Sequence, residues 1–100
     1  MITITRGKDH ITINGHAGYA RMGKDIVCAG VSALVQTLIQ SVEELTQDTI
    51  EYDMKPGKVH IKFWNLSSES RTLIDSFFIG CKSIAATYPE NVRIVQALTT

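Results

Sequence analysis

Between Asp25 and Thr46 apolar residues recur at helical spacing, and this stretch restricts the chain to folds that can bury one side of a long helix. Val27, Val31, Leu34, Leu38, Val42 and Leu45 form a stripe, widened by Ile26, Ala33, Val35 and Ile39. Ser32, Gln36, Gln40 and Glu43 follow one another along a polar line. In a chain of 100 residues, the cover for that stripe has to come from the neighbouring segments, within one modest core.

Those segments mostly have period two. Met1 to Arg6 alternates through Ile2 and Ile4, and His10 to His16 through Ile11 and Ile13, around a Gly7-Lys8-Asp9 turn. Thr49 to Met54 alternates through Ile50, Tyr52 and Met54, and Val59 to Trp64 through Val59, Ile61 and Phe63. Between them, Lys55-Pro56-Gly57-Lys58 suits a type II turn. Each pair reads as a hairpin. Asn65 to Ser68 supplies cap residues for a second helix, Glu69 to Thr87. Its apolar face is Leu73, Ile74, Phe77, Phe78, Cys81, Ile84, Ala85 and Tyr88, and Pro89 stops it. Asn91 to Leu98 is a last strand. The expectation is a single domain over residues 1–100, an α+β layer fold in the order ββαββαβ with both helices on one sheet. The other sheet face then needs water or a partner, which suggests a homodimer.

Composition narrows the function. The chain is 44% hydrophobic and 20% charged, with a formal net charge of zero. That balance argues against a bulk electrostatic grip on nucleic acid or on an anionic membrane. His60, Lys62 and Trp64 share one strand face, a thin basis for binding single-stranded nucleic acid. No stretch reads as a membrane span, and the first residues read as a strand rather than a leader. The expected compartment is the cytoplasm, where the two cysteines stay reduced and a Cys28–Cys81 disulfide is the minor reading.

The chemistry concentrates in Gly15 to Gln36. His16 is read at a strand end. The stretch Ala17 to Lys24 follows as a loop, with Gly18 and Gly23 as its pivots and Tyr19, Arg21 and Met22 between. Asp25 is an N-cap whose carboxylate can accept the amide of Cys28. Cys28, in the first helical turn, heads the polar line one turn before Ser32. A helix N-terminus stabilises a thiolate, a neighbouring imidazole shares its proton, and first-turn amides are natural donors to an oxyanion. The loop reads as a lid or as a plain connection. Equally plain readings are a strand-end polar histidine and a small buried thiol. Cys81, between Phe77 and Ala85 on the apolar face, reads as core. The soft ligands His10, His16, Cys28, His60 and Cys81 form no C-x-x-C or H-x3-H pair, so no structural zinc site and no cofactor are expected. Ser32 has no serine elbow around it, Glu43-Glu44 read as surface, and no phosphate loop is present.

The run Gly15-His16-Ala17-Gly18, followed by Gly23-Lys24-Asp25-Ile26-Val27-Cys28-Ala29 and Ser32-Ala33-Leu34, closely resembles the ribosomal-processing cysteine proteases called Prp. The resemblance in element order covers nearly the whole chain. It implies a small bacterial homodimeric endopeptidase with a metal-free Cys–His dyad. Its substrate would be a large-subunit ribosomal protein precursor (the twenty-seventh in that naming), cut after a pair of phenylalanines. On the matching positions, Cys28 is implied as nucleophile and His16 as general base, with Gly15, Asp25 and Ser32 in support. Gly18, Tyr19, Met22 and Gly23 are candidates for substrate contact. Arg21-Met22 departs from the small, polar or aromatic residues expected at those loop positions. The rival reading is a non-enzymatic binding module for a ribosomal protein or ribosomal RNA.

Overall fold

A computed structural model describes residues 1–97. The elements are β1 (Ile2–Arg6), β2 (His10–Asn14), α1 (Ile26–Leu45), β3 (Ile50–Lys55), β4 (Lys58–Phe63), α2 (Ser68–Thr87) and β5 (Val92–Gln96). The order ββαββαβ is the expected one. Leu98, expected at the end of the last strand, lies outside the described residues.

The strands form one five-stranded mixed sheet in the order β3-β4-β2-β1-β5. Both hairpins are present, and antiparallel pairing of β2 with β4 joins them, with Ile11 opposite Ile61. β5 returns parallel to β1, with Ile2 opposite Val92. Because strand side chains alternate between faces, this register puts Ile2, Ile4, Ile11, Ile13, Ile61, Phe63 and Val92 together in the core. The helices cover that face with Val27, Val31, Val35, Leu38, Ile39 and Val42 from α1 and Ile74, Phe77, Phe78 and Cys81 from α2. Gly30 faces Ile84 and Gly80 faces Leu34, so the helices run antiparallel and approach closely.

Several expectations are corrected. β2 ends at Asn14, not at His16. Gly15 turns the chain with φ +97°, and its amide donates to the Gly57 carbonyl at 2.8 Å. His16 therefore leaves the sheet instead of continuing its alternation. Leu45 and Ile26, placed on the apolar stripe, are mostly exposed, because they lie in the last and first turns of α1. α1 is also long and apolar enough to cross a membrane by length and composition, contrary to the reading of the sequence. Here it spends its apolar side on the sheet and on α2.

The joint between α1 and α2 is polar. The Asp48 carboxylate accepts from the amide and hydroxyl of Ser67, the N-cap of α2, and from the hydroxyl of fully buried Ser70. These bonds hold the Asp48 carboxyl below its ordinary range, the Ser67 hydroxyl contributing most.

Candidate active site

The β2–α1 loop, the head of α1 and the β3–β4 turn enclose a cavity of about 600 Å3. Ile13, Val31, Val35 and Val59 give it an apolar wall, and Met54 and Pro56 come from the neighbouring hairpin. His16, Cys28, Asp25, Ser32 and Gly15 line the same cavity, as do Gly18, Met22 and Gly23. The residues singled out from the sequence are thus largely gathered in one place. Tyr19 is the departure: its ring packs edge-on against Tyr88, with centroids 5.3 Å apart.

Cys28 is half-buried in the first turn of α1. Asp25 caps that turn as expected, with one carboxylate oxygen accepting the amides of Val27 at 3.0 Å and Cys28 at 2.9 Å. The other oxygen accepts the amides of Tyr19 at 3.0 Å and Ala20 at 3.3 Å. One side chain therefore starts the helix and folds the loop back over it. These bonds, the one from Cys28 first, hold the Asp25 carboxyl below its ordinary range. They also correct an expectation: the amides of Val27 and Cys28 are already used by the cap and are not open to an oxyanion.

The loop supplies a different donor. The Ala17 amide points at the Cys28 sulfur, N to Sγ 3.3 Å, while the Ala17 methyl is buried in the core. The Asn91 side-chain amide donates to the Ala17 carbonyl at 2.9 Å, and the Met1 nitrogen to the His16 carbonyl at 2.6 Å. Among the described residues, no hydrogen bond joins the His16 ring to Sγ. The ring rests instead over Gly57. A Cβ at position 57 would stand 2.6 Å from His16 Nε2, and Gly57 has φ +73°. In the sequence Gly57 reads as a turn residue alone. Nothing local in sequence points to a histidine 41 positions away.

The other thiol is placed differently. Cys81 is fully buried on α2, and burial pushes its thiol up to about 12. Cys28 is thus the one cysteine lining the cavity. Among the described residues, no group of three or more His, Cys, Asp or Glu is placed to hold a metal ion.

A reachable sulfur at a helix head, an imidazole in the same cavity and an amide aimed at the sulfur equip the site for thiol-dependent hydrolysis, the class of the cysteine proteases. The profile of the family described as cysteine protease Prp matches residues 1–93. A ribosomal processing cysteine protease Prp from Staphylococcus aureus is 30% identical over 87 residues, covering 84% of this chain and 82% of that one. One of the same description from Bacillus subtilis is 29% identical and covers 92% of both chains. The chain belongs to the cysteine protease Prp family. Its fold is shared with the crystal structure of the S. aureus protease in complex with a covalently linked product peptide. The TM-score is 0.93 at 24% identity, covering 97% of this chain and 100% of that one. A Streptococcus mutans protein superimposes with a TM-score of 0.78 at 28% identity, covering 95% and 90%.

Proposed function

We propose that this chain removes the N-terminal extension of a large-subunit ribosomal protein, cutting after a pair of phenylalanines, with Cys28 as nucleophile and His16 as base. The observation that carries this reading is the shared cavity of Cys28 and His16, walled by apolar side chains suited to an aromatic residue. The relatives named for ribosomal processing, one of them crystallised with a covalently linked product peptide, support the substrate and the covalent step. In the reaction, His16 takes the thiol proton. The sulfur attacks the scissile carbonyl, the leaving amine receives the proton, and water then hydrolyses the thioester. As the peptide fills the cavity it brings imidazole and sulfur together. Apolar residues Ile13, Val35 and Val59 offer seats for phenylalanine. β3, at the edge of the sheet, offers free backbone groups along which an extended peptide can lie.

On this reading the protein works in the cytoplasm, where its thiol stays reduced. It works as a pair of copies, associated through the sheet face that the helices leave uncovered. Sedimentation would then give twice the mass of the 11.1 kDa chain.

The test is cleavage of a peptide carrying a Phe-Phe junction, under reducing conditions, with products read by mass spectrometry. Wild type is expected to cut after the second phenylalanine. Cys28→Ala should fold and not cut, and His16→Ala should lose about 10²–10⁴-fold in rate. Cutting by Cys28→Ala at the wild-type rate would remove the nucleophile assignment. A folded wild type that binds the peptide without cutting it would favour the binding module.

A further inference from the structure

The cap on α1 consumes the amides that a thiol at a helix head would otherwise offer to developing negative charge. We infer that the backbone N–H of Ala17 takes over as the anion donor of the reaction, and that the Asn91 side chain is the positioning residue that holds it there. The inference rests on Cys28 being the nucleophile.

The Ala17 amide already faces Sγ at 3.3 Å. When sulfur attacks, the Sγ–C bond forms and the carbonyl π pair moves onto oxygen. That oxygen develops beside the sulfur to which its carbon has just bonded. A donor aimed at the thiolate is therefore close to the oxyanion that replaces it, and a donor fixed beforehand needs no reorganisation as charge moves. Collapse of the intermediate returns the pair to the carbonyl, breaks the peptide C–N bond and leaves the thioester. The proton taken from the thiol goes to the departing amine.

The fixing is visible on both sides of Ala17. The preceding carbonyl, that of His16, accepts from the Met1 nitrogen, and the carbonyl of Ala17 accepts from Asn91 Nδ2 at 2.9 Å. Two and three residues further on, the amides of Tyr19 and Ala20 are held by Asp25. The Ala17 methyl is locked into the core. Asn91 sits where α2 gives way to β5, and its own backbone is held apart from its side chain. Its amide donates to the Tyr88 carbonyl, and its carbonyl accepts from Ile2. Truncating the side chain therefore removes the grip on Ala17 and leaves the strand bonds in place.

The experiment compares wild type, Asn91→Ala and Asn91→Asp. A synthetic full-length chain in which the His16–Ala17 amide is replaced by an ester completes the set. Two quantities are read: kcat and KM on the Phe-Phe peptide, and the pH dependence of Cys28 alkylation by iodoacetamide, which needs no substrate. Both Asn91 variants should lose about tenfold in kcat, with KM within about twofold, and should need higher pH for alkylation. The ester should lose about 10²–10³-fold in kcat, the cost of deleting one oxyanion donor. An ester chain as active as wild type would overturn the donor role. Asn91 variants with wild-type kcat and an unshifted alkylation profile would overturn the positioning role. If Cys28→Ala cleaves the peptide, the underlying nucleophile assignment fails instead, whatever the Asn91 variants do.

Discussion

Gly57 shows how a single residue can carry two constraints of which only one is legible locally. Its place after Pro56 announces a turn, and the observed φ of +73° agrees. Its second duty, leaving room for the His16 ring, arises only because the β3–β4 turn lies beside the β2–α1 loop. The same holds for Asn91, which reaches Ala17 across 74 positions. Asp25 and Cys28 were legible because a cap and a helix head are local features, read within four residues. Gly57→Ala should separate the two duties. An L-residue in the left-handed region costs about 1–2 kcal/mol, which a folded domain can absorb. The added methyl, however, would stand only 2.6 Å from His16 Nε2 and so displace the imidazole ring. We expect a folded protein with cleavage reduced on the order of 100-fold, the scale of a misplaced catalytic group. Circular dichroism and the peptide assay check it, and wild-type activity would show that the ring position over Gly57 is irrelevant.

Among the elements, helix starts are legible in the sequence because caps are local, whereas the tethers that fasten them are long-range. Ser67 as cap of α2 falls within the predicted Asn65–Ser68 stretch, since hydroxyl residues before an apolar run are a local signal. Asp48, which fastens that cap to the end of α1, lies 19 residues before it, where sequence offers no reason to pair them. The depressed pKa of Asp48 gives the joint a pH dependence of known sign. A carboxyl bound more tightly as the anion in the folded state stabilises the fold above its unfolded value, near 3.8, and stops doing so as pH falls through the folded value. Asp25 adds in the same direction. Asp48→Asn removes the charge and keeps one acceptor. Its urea midpoint should fall below wild type at about pH 5, and the gap should narrow at about pH 3. A gap of constant size would mean that the joint is held by shape rather than by charge.

Across the whole molecule, alternation shows which residues of β1, β2 and β4 face the core but not which strands are neighbours, and in β3 it misleads, because Tyr52 and Met54 stay exposed on the edge strand. Period two is the same for every strand, so the β2–β4 pairing that merges the hairpins and the parallel return of β5 beside β1 left no mark in the pattern. Yet that pairing is what places Gly57 against Gly15 and closes the cavity, so the site exists only in the assembled sheet. The two cysteines report on this assembly from opposite positions. Cys28 lines the cavity, whereas Cys81 is fully buried with its thiol pushed up to about 12. A sulfur so placed is neither ionised nor reachable until the helices leave the sheet. Titration with a thiol-specific disulfide reagent at about pH 8 should therefore be biphasic: one thiol reacts quickly, and the second at a rate that rises with urea as global opening becomes more frequent. Cys28→Ser should abolish the fast phase alone. Cys81→Ala should abolish the slow one, retain cleavage, and cost about 1 kcal/mol for the small space left in the core. Two fast thiols, or a slow phase indifferent to urea, would mean that α2 opens locally, and that the core around Phe77, Phe78 and Cys81 is not the unit that holds the site together.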